Sequence, residues 1–147
     1  MFSFLVKKLW AARLARPDIS RATTKLASNV STWSRNDDRR LKRLMEYMSS
    51  SIETRLVGFI CDLADDLELW LFVDADLASE ADSTRSTSGA WLTIVGPSTW
   101  MPVAWINAKQ TSTSRSTTES ESVALATALL KEASLTYWRP FSGAKLL

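Results

Sequence analysis

The hydrophobic periodicity of the sequence changes near residue 50, and this change points to a mixed α/β fold. In the 41–48 segment, Leu and Met recur at the i, i+3, i+4, i+7 spacing of an amphipathic helix. In the 67–73 segment, every odd position is Leu or Val, as in a strand with one buried face. We therefore expect a helical segment at residues 1–54, a sheet-containing core at 55–138 and an irregular tail at 139–147.

Local signals predict a short helix at residues 1–15, a second helix that opens at Pro17, a loop at residues 29–36 and a third helix that ends at Ser49-Ser50-Ser51. Pro17 suits the first turn of the second helix. Asn36 is a candidate N-cap of the third helix, because two aspartates follow it in the first turn.

The core contains four strand candidates and one long helix. The strands are predicted at residues 55–61, 67–74, 90–95 and 100–106. The first two could form a hairpin that turns at Asp65-Asp66, and Gly96-Pro97-Ser98 is typical of a tight turn between the last two. The helix is predicted from Thr118 to Tyr137, with Val123, Ala126 and Leu130 on one face.

Composition excludes several kinds of active site. The chain has no histidine and one cysteine, so it cannot contain a Ser-His-Asp triad, a Cys-His dyad or a cysteine zinc cluster. Any hydrolytic chemistry must use carboxylates, hydroxyls, lysines or a metal ion that prefers oxygen ligands.

The charge is distributed unevenly. Residues 1–56 carry 12 Lys and Arg against 5 Asp and Glu, whereas residues 57–147 carry 6 against 11. Arg39, Arg40 and Arg43 of the third predicted helix could contact the phosphates of a nucleic acid, or they could simply form a solvated helix face. Both interpretations stay open at this stage.

The first ten residues are too few to span a bilayer and lack the features of a secretory signal. The sequence therefore predicts an intracellular protein, cytoplasmic or nuclear, that is not secreted and has no membrane partner.

Three carboxylates are candidates for a metal site. Asp74 ends an apolar strand, Asp76 follows two residues later, and Glu119 begins the last helix. If that helix packs on the sheet, Glu119 and Asp74 could together hold Mg²⁺, which prefers oxygen ligands. The alternative is structural: Glu119 complements the helix N-terminus and the aspartates form a strand-end turn.

Several short motifs, in order, resemble the Pol polyprotein of Ty1/copia-type retrotransposons. Arg16-Pro17-Asp18-Ile19 resembles the segment that joins reverse transcriptase to ribonuclease H. Further matches are Val73-Asp74-Ala75-Asp76-Leu77, Arg85-Ser86-Thr87-Ser88-Gly89, Lys109-Gln110 and the run from Ser116 to Glu121. Together they span most of the chain, from about residue 8 to residue 138.

The resemblance implies a ribonuclease H-like fold, preceded by helices, that cleaves the RNA strand of an RNA–DNA hybrid with two metal ions, Mg²⁺ or Mn²⁺. Asp74 and Glu119 correspond to the first two catalytic carboxylates, and Asp76 to a further metal ligand. The family's later aspartates and fourth strand have no match here, so we expect an incomplete sheet, weak metal binding and little or no cleavage. The remainder of a Pol polyprotein is an implied partner, and a non-catalytic nucleic-acid-binding or structural remnant is the alternative function.

Overall fold

The computed structural model describes residues 2–77, 85–132 and 144–146, and it divides into two compact units, residues 1–56 and 57–147. The predicted boundary between residues 54 and 55 lies two residues before this division. Within the described ranges, no helix is both long enough and apolar enough to cross a membrane.

The first unit is helical, as the sequence predicts. Its elements are α1 (Phe2–Leu14), a 3₁₀ helix (Pro17–Ile19), α2 (Ser20–Ser28), a second 3₁₀ helix (Val30–Thr32) and α3 (Arg35–Ser50). The core of this unit is formed by the buried side chains of Ala12, Ile19, Leu26 and Leu44. Ile19 and Leu26 come from the predicted apolar stripe of the second helix, and Leu44 comes from that of the third.

The start of α3 differs from the prediction, because Ser34 and not Asn36 is its N-cap. The Ser34 hydroxyl accepts a hydrogen bond from the Asp37 backbone N–H at 3.4 Å, and the Asp37 carboxylate accepts one from the Ser34 backbone N–H at 3.0 Å. This reciprocal capping box satisfies two backbone donors at once. Asn36 lies inside the first turn, where it cannot act as the cap.

Asp37 is a buried carboxylate held by several donors. The Ser34 hydroxyl donates to it at 2.6 Å and the Asn29 side-chain amide at 2.8 Å, and Arg40 lies 3.3 Å away. These hydrogen bonds, that from the Ser34 side chain first, lower the pKa of Asp37 to about 2.

Arg16 and Asp18 connect the first 3₁₀ helix to the end of α3. The Arg16 guanidinium donates to the Asp18 carboxylate at 2.8 Å and to the Ser51 carbonyl at 3.1 Å. The Tyr47 hydroxyl also donates to Asp18, at 2.9 Å. Because Arg16 donates to the carboxylate, the pKa of Asp18 is lowered. The Arg-Pro-Asp-Ile motif therefore has a structural role here.

The second unit is a sheet with one helix. Its elements are β1 (Glu68–Asp76), β2 (Thr87–Gly96), β3 (Thr99–Lys109), α4 (Thr117–Glu132) and β4 (Ala144–Leu146). The strand order is β3-β2-β1-β4, with β1, β2 and β3 antiparallel and β4 parallel to β1. The structure thus confirms a mixed α/β class, the three later predicted strands and the turn after Gly96.

The end of the chain differs from the prediction. Residues 139–147 are predicted to be irregular, with no strand after the long helix to match the family's fourth strand. The structure places Ala144–Leu146 in a short strand beside Leu69–Leu71 of β1. Three consecutive residues carry too little periodicity to identify such a strand from sequence. It contains no aspartate.

The buried face of α4 also differs from the predicted face. Ser120, Ala124 and Ala128 are the buried side chains, and Ala128 packs against Leu71 of β1 and Leu92 of β2. Leu130, on the predicted face, is exposed. Small side chains let the helix lie close to the sheet, which hydrophobicity alone does not indicate. Residues 133–137 of the predicted helix lie outside the described residues.

The predicted strand at residues 55–61 is wrong. This segment forms one isolated bridge, between Phe59 and Trp100, in which each backbone N–H donates to the other's carbonyl at 2.9 and 3.0 Å. In an antiparallel ladder, the next hydrogen-bonded pair would join Val57 to Pro102. Proline has no backbone N–H to donate, so this pair cannot form in full. The predicted hairpin with β1 is therefore not formed, and Asp65 and Asp66 lie in a 3₁₀ helix.

We predict that Asp37 makes the stability of the chain pH-dependent between about pH 4 and pH 2. Its pKa is about 2 when folded, against about 3.9 for an unfolded aspartate. Its stabilising contribution is therefore complete well above pH 4 and is lost as the pH falls towards 2. The difference in unfolding free energy between the wild type and Asp37→Asn, measured by urea denaturation, should shrink over this range. A difference that stays constant would contradict the assigned hydrogen bonds.

Candidate functional site

The two candidate aspartates lie near the end of β1, on one face of the sheet. Leu69, Leu71 and Val73 belong to the hydrophobic cluster that contains Ala128 of α4. Because side chains alternate along a strand, Asp74 and Asp76 lie on the opposite face, and both are exposed. Asp74 is paired with Gly89 of β2, which has no side chain to crowd the carboxylate.

The same face carries an aromatic surface. The rings of Trp70 and Phe72 lie 5.9 Å apart, those of Phe72 and Trp100 lie 6.1 Å apart, and Trp91 stacks on Trp105 at 5.4 Å. These separations are those of rings that pack on each other within a sheet. Asp74 and Asp76 continue this face towards the end of β1.

Glu119 takes part in the start of α4. Its backbone N–H donates to the Ser116 hydroxyl at 3.2 Å, and its carboxylate accepts a hydrogen bond from the Arg115 backbone N–H at 2.7 Å. This arrangement resembles a capping box shifted by one residue, and the negative charge also favours the helix N-terminus. One oxygen of Glu119 is thus already bound to the protein.

The three carboxylates do not form a ready metal centre. In residues 2–77, 85–132 and 144–146, no group of three or more acidic or cysteine side chains converges on a point that could hold a metal ion. The assignment of Asp74, Asp76 and Glu119 to a shared magnesium site stays a prediction. Exposed carboxylates at the end of β1 fit one hydrated Mg²⁺, which keeps several waters, better than a pair of ions held at a fixed separation.

A buried amide, that of Gln110, lies at this end of the unit, and the sequence identified it only as part of the Lys109-Gln110 match, without a role. The Gln110 side-chain NH₂ donates to the Ser88 hydroxyl at 3.0 Å and to the Ser120 carbonyl at 2.8 Å. The Ser114 hydroxyl donates to the Gln110 side-chain carbonyl at 3.0 Å, and the Gln110 backbone N–H donates to the Ser86 carbonyl at 2.8 Å. We call this group the Gln110 hub, and it connects β2, the loop before α4 and α4 itself.

One signal could have identified the hub. Ser88 is paired with Ala75 of β1 and is buried on the face that α4 covers, which predicts a polar group beneath the helix. Buried hydroxyls need partners, and Gln110 is the residue with both a donor and an acceptor at the end of the next strand.

The three candidate arginines lie on α3 in the first unit. Arg39 and Arg43 are exposed and stand one helical turn apart, so their guanidinium groups can face one ligand. Arg40 is half-buried and makes an ion pair with Asp37 at 3.3 Å. Two of the three therefore remain exposed, and the third has a structural partner.

Two similar proteins are polyproteins of plant retrotransposons. The chain is 30% identical over 117 residues to the retrovirus-related Pol polyprotein from transposon RE1 of Arabidopsis thaliana. It is 28% identical over 117 residues to the corresponding polyprotein from transposon RE2. Each match covers 80% of this chain but 8% of the polyprotein, so the chain corresponds to a small segment of these relatives.

A third similar protein is comparable in size to this chain. Secreted RxLR effector protein 161 of Plasmopara viticola is 32% identical over 115 residues, which are 78% of this chain and 76% of the effector. No protein-family model matches the sequence, and no solved structure matches it.

We predict that Gln110→Leu lowers the free energy of unfolding of the second unit by about 1–3 kcal/mol, because it leaves buried hydroxyl and carbonyl groups without a partner. Ser112→Ala, an exposed change in the same loop, is the matched control and should have little effect. Urea denaturation of the whole chain gives the comparison. Equal stability of the two variants would contradict the structural role of the hub.

Proposed function

This chain belongs to the same protein family as secreted RxLR effector protein 161, and we propose, from its further similarity to two Pol polyproteins, that it is a ribonuclease H-like segment of retrotransposon origin. Its proposed activity is the binding of nucleic acid, with weak or no cleavage of the RNA strand of an RNA–DNA hybrid. The remainder of a Pol polyprotein is a proposed partner.

The order of the elements supports a ribonuclease H-like fold. The resemblance requires one acid on the first core strand and another on the helix that follows the third strand. Asp74 lies on β1, and Glu119 lies in the first turn of α4, directly after β3. The short β4, beside β1, adds a fourth strand to this sheet.

One observation carries the proposal of weak catalysis: the carboxylate of Glu119 is engaged in capping its own helix. Two-metal hydrolysis needs carboxylates that hold both ions at a separation of about 3.5–4 Å. Asp74 and Asp76, exposed on the face away from α4, can offer oxygen ligands to one hydrated ion. A bound Mg²⁺ there would supply positive charge next to a phosphodiester.

The nucleic-acid proposal rests on the first unit. Its charge is strongly positive, and Arg39 and Arg43 present guanidinium groups to solvent on one side of α3. Contacts of this kind bind the phosphate backbone without reading sequence. An intracellular location, in the cytoplasm or the nucleus, follows from this proposed partner.

The relative from Plasmopara viticola suggests a second candidate function. Its name describes a secreted effector, and this chain matches three quarters of its length. A small protein of this kind could use the same scaffold in a structural role that needs neither metal nor nucleic acid. Failure to bind a hybrid at low salt would favour this second function.

For catalysis, we predict that the chain with Mg²⁺ or Mn²⁺ cleaves a labelled RNA–DNA hybrid no more than about twofold faster than a metal-free blank. Asp74→Asn and Glu119→Gln serve as comparisons, since both keep an oxygen acceptor at the position of the acid. The two variants should give the same rate as the wild type. Robust cleavage that both substitutions abolish would show that the carboxylate site is complete.

For binding, we predict a strong dependence of hybrid affinity on salt. Arg39→Ala and Arg43→Ala should each lower the slope of log affinity against log salt by about 1, the value for one lost phosphate contact. Arg115→Ala removes an exposed arginine of the other unit and should leave the slope unchanged. If all three substitutions changed the salt dependence equally, α3 would not be the surface that contacts the phosphates.

A further inference from the structure

The first unit contains a groove between α2 and α3 with a volume of about 310 Å³. The buried core residues Ile19, Leu26 and Leu44 form its floor, and the more exposed Ala22 and the Tyr47 ring form apolar parts of its walls. We call it the α2–α3 groove. Pockets that hold small ligands start at roughly 300 Å³, so the groove can take one or two side chains but not a duplex.

Positive charges surround this apolar lining. Lys25 of α2 and Arg40 and Arg43 of α3 line the groove. Arg40 is paired with Asp37, whereas Arg43 is exposed at the edge of the groove. The acid in the lining, Asp18, already accepts hydrogen bonds from Arg16 and from the Tyr47 hydroxyl, so its charge is compensated within the unit. The groove therefore favours an occupant with an apolar centre and negative groups around it.

The second unit presents a segment with this chemistry. Leu63 is 78% exposed and is followed by the exposed carboxylates of Asp65 and Asp66. We call residues 62–66 the Leu63 turn. The exposed Leu63 side chain is complementary to the apolar lining of the groove, and the two carboxylates beside it are complementary to the positive charges around that lining.

The Leu63 turn is held in place on both sides. At its start, the Asp62 carboxylate accepts a hydrogen bond from the Ser98 backbone N–H at 2.8 Å, and the Asp62 backbone N–H donates to the Thr99 hydroxyl at 3.1 Å. After it, Leu67 is buried. A side chain presented from an anchored turn loses little conformational freedom on binding, which favours its use as a contact.

We propose that the α2–α3 groove of one copy binds the Leu63 turn of a second copy, so that the chain associates with itself. Leu63 enters the apolar part of the groove, and the carboxylates of Asp65 and Asp66 lie against the exposed guanidinium group of Arg43. The opposite net charges of residues 1–56 and 57–147 favour the same pairing. Arg43 is also a residue of the proposed nucleic-acid contact, but the association needs no nucleic acid, so a test without nucleic acid distinguishes its failure from that of the proposed function.

Sedimentation velocity of the full chain at low salt, over a series of protein concentrations and without nucleic acid, tests the proposal. The wild type should associate with increasing concentration. Leu63→Ser and Arg43→Glu should each weaken association at least about tenfold, because each removes one side of the contact. Leu130→Ser is the matched control, since Leu130 is 82% exposed on α4, and it should associate as the wild type does.

A mixing experiment separates a lost contact from a misfolded variant. Leu63→Ser keeps an intact groove and Arg43→Glu keeps an intact turn, so labelled Leu63→Ser should associate with unlabelled Arg43→Glu more strongly than either associates with itself. A wild type that stays monomeric at every concentration would overturn the proposal. So would a mixture that does not associate, or a Leu130→Ser variant weakened as much as Leu63→Ser.

Discussion

The sheet unit depends on the buried amide of Gln110. Its side chain connects Ser88 of β2 to Ser120 of α4, and Ser114 satisfies the remaining acceptor. These bonds add to the packing of Ala124 and Ala128 on the sheet, because such small side chains offer little area for hydrophobic packing. A polar hub thus contributes the specificity that a larger apolar helix face would otherwise supply.

Sequence patterns predicted the elements whose partners are close in the chain. The β2–β3 hairpin follows from Gly96-Pro97-Ser98, and the buried face of β1 follows from its alternation. The patterns failed where a choice between neighbouring caps or the partner of a distant strand decides. Ser34 is the cap of α3 because Asp37 can return its hydrogen bond, and Phe59 pairs with a single residue because Pro102 ends the ladder.

The candidate site shows the same limit. The residue types and their order along the chain placed Asp74 on a strand end and Glu119 in a helix first turn, and the structure has both there. Whether two acids can meet depends on which face of the sheet the helix covers and on what each carboxylate already binds. That face is set by Ser120, Ala124 and Ala128, which a search for large apolar residues does not find. The hydrogen bond between Glu119 and Arg115 depends on the loop before α4.

The motifs that relate this chain to retrotransposon polyproteins include many residues with structural roles. Arg16 and Asp18 connect a turn to the end of α3, Ser88 belongs to the Gln110 hub, and Glu119 caps α4. Loss of catalysis would leave the physical need for the bonds of Arg16 to Ser51, of Ser88 to Gln110 and of Glu119 to Arg115 unchanged, because each satisfies a buried or helix-terminal polar group. A chain can therefore keep these motifs because its folded structure needs them, even if it has no catalytic activity. For that reason, the similarity is stronger support for a shared scaffold than for a shared reaction.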